Sequence, residues 1–325
     1  MKALIDRIKR EKGKILIFTH ENPDADGIGS MLALYEFLKN EGKDVECAMK
    51  DPAPAILDFL PNIDKIKKLP NEKTYDLAIL VDAAGAFRAG TKINAKEIIR
   101  IDHHIGGNKE SNYDFIDTYA PSTTFLVAKI LRYWNEEKIN SNIATNLYTG
   151  LLTDTGSFRY NNVDDEAFEM AEFLVKKGAD PTYIANMIYE RNKLSTIKLL
   201  QLTLSTLKLY AEGKIASLIV ERKYLHETGA LEEETEGFVN YARSIDGVEI
   251  AFIMIQKEDP DLWRVSIRGK GNIDVREIAE YFGGGGHRDA AGCRIRGKKE
   301  EVLNKLVERA KQQLEKELNI SYSTI

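Results

Sequence analysis

Cysteine is nearly missing from this chain of 325 residues, which holds only Cys47 and Cys293. That scarcity excludes a disulfide scaffold and a zinc cluster. Both thiols read as small apolar fillers. No run of 18 apolar residues occurs, so no membrane span is expected. An apolar signal core is also lacking. The opening Met1-Lys-Ala-Leu-Ile-Asp-Arg-Ile-Lys-Arg10 is amphipathic and charged, and reads as the first helix of a cytoplasmic protein. A positive balance is missing as well: 46 Lys and Arg face 51 Asp and Glu, for a net charge of −5. Proteins that grip long nucleic acid are usually basic. A long duplex is therefore excluded as a partner, and small or short anionic substrates are expected. Histidine is scarce at five residues, so two adjacent ones carry information.

What is present begins with Thr19-His20-Glu21-Asn22-Pro23-Asp24-Ala25-Asp26-Gly27. The β-branched and aromatic run Lys14–Phe18 precedes it with the look of a strand. Apolar residues at helical spacing follow it, predicting a helix over 28–40. An imidazole and two carboxylates thus sit between a strand's carboxyl end and a helix start, where open α/β sheets place ligands. Asp24 and Asp26 are one residue apart and cannot face the same way in an extended turn, but they can reach two neighbouring cations. The alternative is a plain polar turn built on Asn22-Pro23 and Asp26-Gly27.

The pattern repeats further along. Strand-like runs at Asp44–Met49, Asp76–Val81 and Ile98–Ile101 alternate with helical runs near 53–60, 122–137, 142–152 and 165–177. Such alternation predicts a doubly wound parallel sheet. Two of these strands stop on acids: one at Asp82, the other at Asp102-His103-His104. A helix through Leu147, Leu151 and Leu152 runs into Asp154 and stops at Gly156. For Asp82 and Asp154 the plain reading is a turn or helix-stop residue; for an Asp followed by two His that reading is weaker. Together His20, Asp24, Asp26, Asp82, His103 and Asp154 suffice for two first-row cations sharing one carboxylate. Mixed imidazole and carboxylate donors suit Mn²⁺, Fe²⁺ or Co²⁺ better than Ca²⁺. Paired cations clamp a phosphoryl group and generate hydroxide at neutral pH.

From 181 to 209 the apolar spacing predicts one long helix with no glycine or proline beyond Pro181 at its start, joining two domains. Strands at Lys214–Val220, Val248–Ile255 and Trp263–Ile267 then mix with helices at Glu232–Arg243, Val275–Phe282 and Glu300–Leu318, the pattern of a smaller α+β domain. Its loudest feature is Phe282-Gly-Gly-Gly-Gly-His-Arg-Asp-Ala-Ala-Gly-Cys293. Four consecutive glycines let backbone approach a ligand and leave N–H groups free, with His287 and Arg288 alongside. The alternative is a flexible loop before a strand. Nine Lys or Arg against four Asp or Glu between Arg264 and Lys299 make this segment locally positive and fit it to read phosphate.

Taken in order, His20-Glu-Asn-Pro-Asp-Ala-Asp26, Val81-Asp82, Asp102-His-His104, Thr153-Asp-Thr-Gly156 and Gly283-Gly-Gly-Gly-His287 resemble the motifs of the DHH phosphoesterase superfamily. The last belongs to its branch with a DHH-associated C-terminal domain. Within that branch, length and layout are similar to the NrnA-type nanoRNase and pAp-phosphatase group. The resemblance implies a catalytic DHH domain over 1–185, a helical linker over 186–209 and a substrate-binding domain over 210–325. It implies two divalent metal ions, manganese foremost. His20 and Asp24 would hold one; Asp26, His103 and Asp154 the other; Asp82 would bridge them. Asp102 would orient the histidines, and His104 would touch the scissile phosphate and protonate the leaving 3′-oxygen. Arg268, Gly284, Gly285, Gly286, His287 and Arg288 would bind the other end of the nucleotide. In two places the chain departs from the pattern: Gly269 stands where many relatives have Ser, and Phe125 where an acidic residue is common.

The activity so implied is hydrolysis of very short oligonucleotides or linear dinucleotides to 5′-mononucleotides, in a cleft between the domains. The same family pattern leaves open a pAp (3′-phosphoadenosine 5′-phosphate) phosphatase, a cyclic-di-AMP phosphodiesterase and a RecJ-like exonuclease. From another class, a nucleotide-binding module with a dead metal site is the contrasting reading. A homodimer is a possible assembly.

Overall fold

The apolar runs of the first half become a six-stranded sheet: β1 (Ile15–Phe18), β2 (Val45–Met49), β3 (Lys67–Lys68), β4 (Leu77–Val81), β5 (Ile98–Asp102) and β6 (Phe115–Ile116). This structure is a computed structural model and describes all residues except 71, 272 and 323–325. The strand order is β3-β2-β1-β4-β5-β6, and each neighbouring pair is parallel. The chain builds outward from β1 to one side, then returns to build β4, β5 and β6 on the other. The switch point therefore lies between β1 and β4, whose carboxyl ends lead into His20 and Asp82. Both strands are buried at every position, as parallel strands covered on both faces must be.

One face of the sheet carries the helices α1 (Lys2–Arg10), α2 (Ala25–Asn40), α3 (Thr123–Asn135), α4 (Ser141–Asp154), α5 (Asp165–Lys176) and α6 (Pro181–Tyr189). Their apolar sides meet Ile15, Ile17, Ile79 and Ile101 in one core. The other face, with Leu16, Phe18, Ala78 and Leu80, is closed by loop residues Leu69, Tyr75, Ala83 and Ala89. α2 starts three residues earlier than its apolar spacing implied, because the Asp24 side chain accepts from the N–H groups of Asp26 and Gly27 and caps the helix there.

The chain forms two compact units, Met1–Arg191 and a second that begins at Asn192. The second is a mixed sheet of β7 (Lys208–Tyr210), β8 (Ile215–Val220), β9 (Ile250–Gln256), β10 (Leu262–Gly269), β11 (Gly285–Gly286) and β12 (Ala290–Arg296). Its order is β11-β12-β10-β9-β8-β7, with only β8 and β9 parallel. α7 (Leu194–Leu204), α8 (Arg222–Thr228) and α9 (Phe238–Arg243) pack on one face around Leu199, Leu225 and Phe238. α10 (Arg276–Tyr281) and α11 (Lys299–Tyr322) pack on the other around Trp263, Ile278 and Leu306.

Three expected helices differ. The rod over 181–209 is two helices, α6 and α7, broken around Arg191, whose guanidinium ion-pairs with Asp58 in the first unit. Ile184 of α6 joins the first unit's core and Leu199 of α7 the second's, so residues 186–209 are not one element. The helix over 53–60 is only a 3₁₀ turn, Ala55–Leu57, hemmed in by Pro52, Pro54 and Pro61. The helix over Glu232–Arg243 is interrupted by Gly237, whose φ of +80° lies in the left-handed region.

α2 and α4 approach closely at Gly29, where a Cβ would collide with the Asn146 carbonyl oxygen. Gly29→Ala is expected to destabilise the chain by about 1–3 kcal/mol, the usual range for overpacking. Urea unfolding would check this, and an unchanged midpoint would contradict the close approach.

Candidate metal centre

The histidines and carboxylates named from sequence in the first unit converge at the carboxyl ends of β1, β4 and β5. Asp82 follows β4 with φ +57°, a left-handed conformation that aspartate tolerates better than most residues. It is 2% exposed. Its two oxygens face apart. Oδ2 lies 3.6 Å from His20 Nε2, and that nitrogen is 3.9 Å from Asp24 Oδ2. Oδ1 lies 3.8 Å from His103 Nε2, which is 3.9 Å from Asp26 Oδ2 and 3.4 Å from Asp154 Oδ2. Two donor groups thus share one carboxylate: His20, Asp24 and Asp82 on one side, and Asp26, Asp82, His103 and Asp154 on the other.

Backbone carbonyls set the imidazoles. His20 Nδ1 is 2.8 Å from the Glu21 carbonyl and His103 Nδ1 is 3.0 Å from that of Ala120. A carbonyl only accepts, so each Nδ1 carries hydrogen and each Nε2 is the nitrogen turned to the acids. Asp26 is held by the start of α3. Its oxygens accept from Thr123 N at 2.6 Å, Thr124 N at 2.8 Å and Thr124 Oγ1 at 2.6 Å. Thr123 Oγ1 donates to Asp82 Oδ1 at 3.0 Å. His104 lies beside Asp82, its Nδ1 3.7 Å from Asp82 Oδ1. Its Nδ1 donates to Asp102 Oδ1 at 2.7 Å, and the other Asp102 oxygen accepts from the buried Arg100 guanidinium.

Charge is unbalanced here. Among the described residues, the ion-pair partners of Asp24, Asp26, Asp82 and Asp154 are histidines alone. Burial and the Asp82 and Asp24 charges push Asp154 up to about 7. Burial with Asp82 and Asp154 raises Asp26 well above the usual carboxylate range. Burial alone would lower both histidines, yet the surrounding carboxylates raise His20 and His103 to about 9. Burial likewise works against the Asp82 charge, but the neighbouring histidines overcome it and hold Asp82 well below the usual range. A buried, acid-rich set with Nε2 atoms facing inward fits divalent cations, whose charge answers the crowding.

In the second unit the glycine run differs from the open nest expected. The N–H of Gly283 donates to Glu280 O and that of Gly284 to Ala279 O, both at 2.9 Å. Gly285 and Gly286 form β11 against Gly292 and Ala291. A Cβ on Gly284 would run into the Gly292 carbonyl and one on Gly286 into that of Ala290, so these two serve close strand packing, and part of the run's N–H supply is already used. His287 N donates to Ala290 O at 2.7 Å, closing a turn opposite Arg268, which pairs with Ala290 in the ladder. Arg268 also lies 3.6 Å from Glu236. Gly269 leaves no room for a side chain, with the Ile273 carbonyl in the way. Phe125 is buried in the first core and donates its N–H to the Ser122 cap. His226 is exposed on α8.

Three residues of the first unit's site escaped the sequence reading. Thr123 and Thr124 act largely through backbone N–H groups, which leave no residue signature beyond the cap at Ser122. Arg100 did leave one: a charge inside the apolar strand Ile98-Ile-Arg-Ile101 has to be paired.

A parallel α/β domain that collects imidazole and carboxylate around one shared aspartate at its switch point defines a class, the hydrolases that use divalent cations on phosphate esters. Residues 14–151 match the DHH family N-terminal domain and residues 214–316 match the DHHA1 domain. The chain belongs to the DHH phosphoesterase superfamily, in the branch that carries a DHHA1 domain. It is 31% identical to the bifunctional oligoribonuclease and PAP phosphatase NrnA of Thermus thermophilus, over 91% of this chain and 89% of that protein. The NrnA of Bacillus subtilis is 27% identical over 86% of this chain and 89% of its own. A crystal structure of an exopolyphosphatase-related protein from Bacteroides fragilis superposes with a TM-score of 0.86 at 27% identity, covering 97% of this chain and 96% of that one. No helix among the described residues is long and apolar enough to cross a membrane.

The protons on His20, His103 and Asp154 must leave before a cation can occupy their atoms. Mn²⁺ affinity is therefore expected to rise between pH 6 and 9, by about tenfold per pH unit for each proton displaced, and to level off above. Calorimetry in two buffers of different ionisation enthalpy reads both affinity and proton release. An affinity flat across that range would contradict the assignment of these groups.

Proposed function

We propose that this chain is a metal-dependent phosphodiesterase that degrades very short oligoribonucleotides or linear dinucleotides to 5′-mononucleotides, acting in the cytoplasm with Mn²⁺. The observation that carries the reading is Asp82, whose two oxygens address two separate donor groups. His20 and Asp24 would hold one cation, Asp26, His103 and Asp154 the other, with Asp82 between. When bound, such a pair supplies Lewis acidity to both flanking oxygens of a phosphate ester and lowers the pKa of water.

The chain's own residues do the rest. Arg100 and Asp102 hold His104 in place. His104 would then face the phosphate with Nε2: burial works against its charged form, while the Asp102 hydrogen bond and the Asp82 charge raise its pKa. In hydrolysis the oxygen of water forms a bond to phosphorus, the P–O3′ bond breaks, and O3′ takes the proton of His104 Nε2. Water's proton passes to solvent. Arg268, His287 and Arg288, set around the glycine run of the second unit, would bind the distal phosphate or base. The net charge of −5 supports short substrates, since a long strand needs a continuous basic track.

The names of the relatives support a second substrate, pAp, for the same site. A Mn²⁺-supported panel tests both readings: pApA, a pentanucleotide RNA, pAp, cyclic-di-AMP and pyrophosphate. Turnover is expected on pApA and pAp, with release of 5′-AMP; turnover confined to pyrophosphate would overturn the reading. Asp82→Asn is expected to lower kcat on pApA by about a thousandfold or more and to weaken both cations, because the shared ligand serves each. His287→Ala is expected to raise KM for pApA about tenfold, the worth of one charge-assisted hydrogen bond. It should leave bis-p-nitrophenyl phosphate hydrolysis unchanged; equal losses on both would remove His287 from substrate reading.

A further inference from the structure

Arg100 sits in the middle of β5, 1% exposed, and a buried cation is costly unless every donor is met. Here the partners all lie around His104. Nε donates to Asp102 Oδ2 at 3.0 Å, and Nη2 donates to the same oxygen and to Gly106 O at 3.1 Å. Nη1 donates to Asn108 O at 3.2 Å. Gly107, at φ +91°, is pressed between that Nη1 and the Ala84 carbonyl, where no Cβ fits. Asn108 N donates to Ala84 O at 2.9 Å. One guanidinium thus fixes the Asp102 carboxylate on one side of His104 and the loop that follows it on the other.

We propose that Arg100 is a positioning residue for the reaction: it turns the Asp102 carboxylate so that Oδ1 holds His104 Nδ1 and Nε2 is presented to the leaving oxygen. His104 Nδ1 is 2.7 Å from Asp102 Oδ1, and the next carboxylate oxygen, Asp82 Oδ1, is 3.7 Å away. With Asp102 free to rotate, Nδ1 loses the acceptor that fixes the ring, and Nε2 is no longer held toward the leaving oxygen. Lysine cannot replace the fork, because a single ammonium cannot span a carboxylate oxygen and two carbonyls in fixed directions. The inference rests on the reading of His104 as proton donor.

The test compares leaving groups. The 3′-oxygen of pApA needs a proton to depart; nitrophenolate, from thymidine 5′-(p-nitrophenyl phosphate), does not. Wild type, His104→Ala, Arg100→Met and Arg100→Lys are assayed with Mn²⁺ on both substrates. Arg100→Met is expected to lose about 100-fold in kcat on pApA, the lower end of a general acid's contribution. Its KM on pApA and its kcat on the nitrophenyl ester should both stay within about threefold. Arg100→Lys is expected to show the same split at about tenfold, and it carries the test alone if the methionine variant fails to fold. Equal losses on the two substrates, or none on pApA, would overturn the role of Arg100. If His104→Ala shows no split, the proton-donor reading falls and takes this inference with it. If His104→Ala splits the substrates and the Arg100 variants do not, Arg100 alone is excluded.

Discussion

The first unit is arranged around one carboxylate placed between two groups of imidazole and carboxylate side chains. Asp82 turns one oxygen to His20 and the other to His103, with three further aspartates around them. Two like unit charges 4 Å apart repel by about 4 kcal/mol at an effective dielectric near 20, so this gathering persists only where opposite charge answers it. In the bare chain the answer is protonated imidazole. Divalent cations, if held there, would answer the same crowding, and the histidines would then meet them as neutral donors.

The sheet explains how such groups are brought together without one loop doing all of it. β1 and β4 are spatial neighbours although some 60 residues separate them, and β5 lies beside β4. Each strand delivers its last residues to the same edge. Helix ends then finish the site. Asp24 caps α2 with one oxygen and meets His20 with the other. Thr123 and Thr124 at the start of α3 grip Asp26, where free N–H groups and the helix dipole favour an anion. Asp154 is the last residue of α4.

Much of the site was legible because it obeys a simple contrast: an apolar strand that stops on Asp or His has no packing reason to do so. His20, Asp82 and the Asp102-His103-His104 triplet all carry that signature. What stayed hidden was made of backbone or of angle. The grip of Thr123 and Thr124 on Asp26 depends on N–H groups common to nearly every residue. Arg100 reads as an interruption until its three acceptors are seen. The break between α6 and α7 falls on the polar run Glu190-Arg191-Asn192-Lys193, a short gap between two apolar-patterned stretches, and the separate cores of the two units decide it. The glycine run was visible as a demand for close approach, and at Gly284 and Gly286 the approaching backbone is that of β12.

The two donor groups differ in their access to water. The Asp24 side chain is 62% exposed and His20 is at 13%, whereas Asp26 is at 2%, His103 at 5% and Asp154 at 25%. A cation held beside Asp24 would stand open to the medium, whereas one held beside Asp26 and His103 would be reached by water chiefly past Asp154.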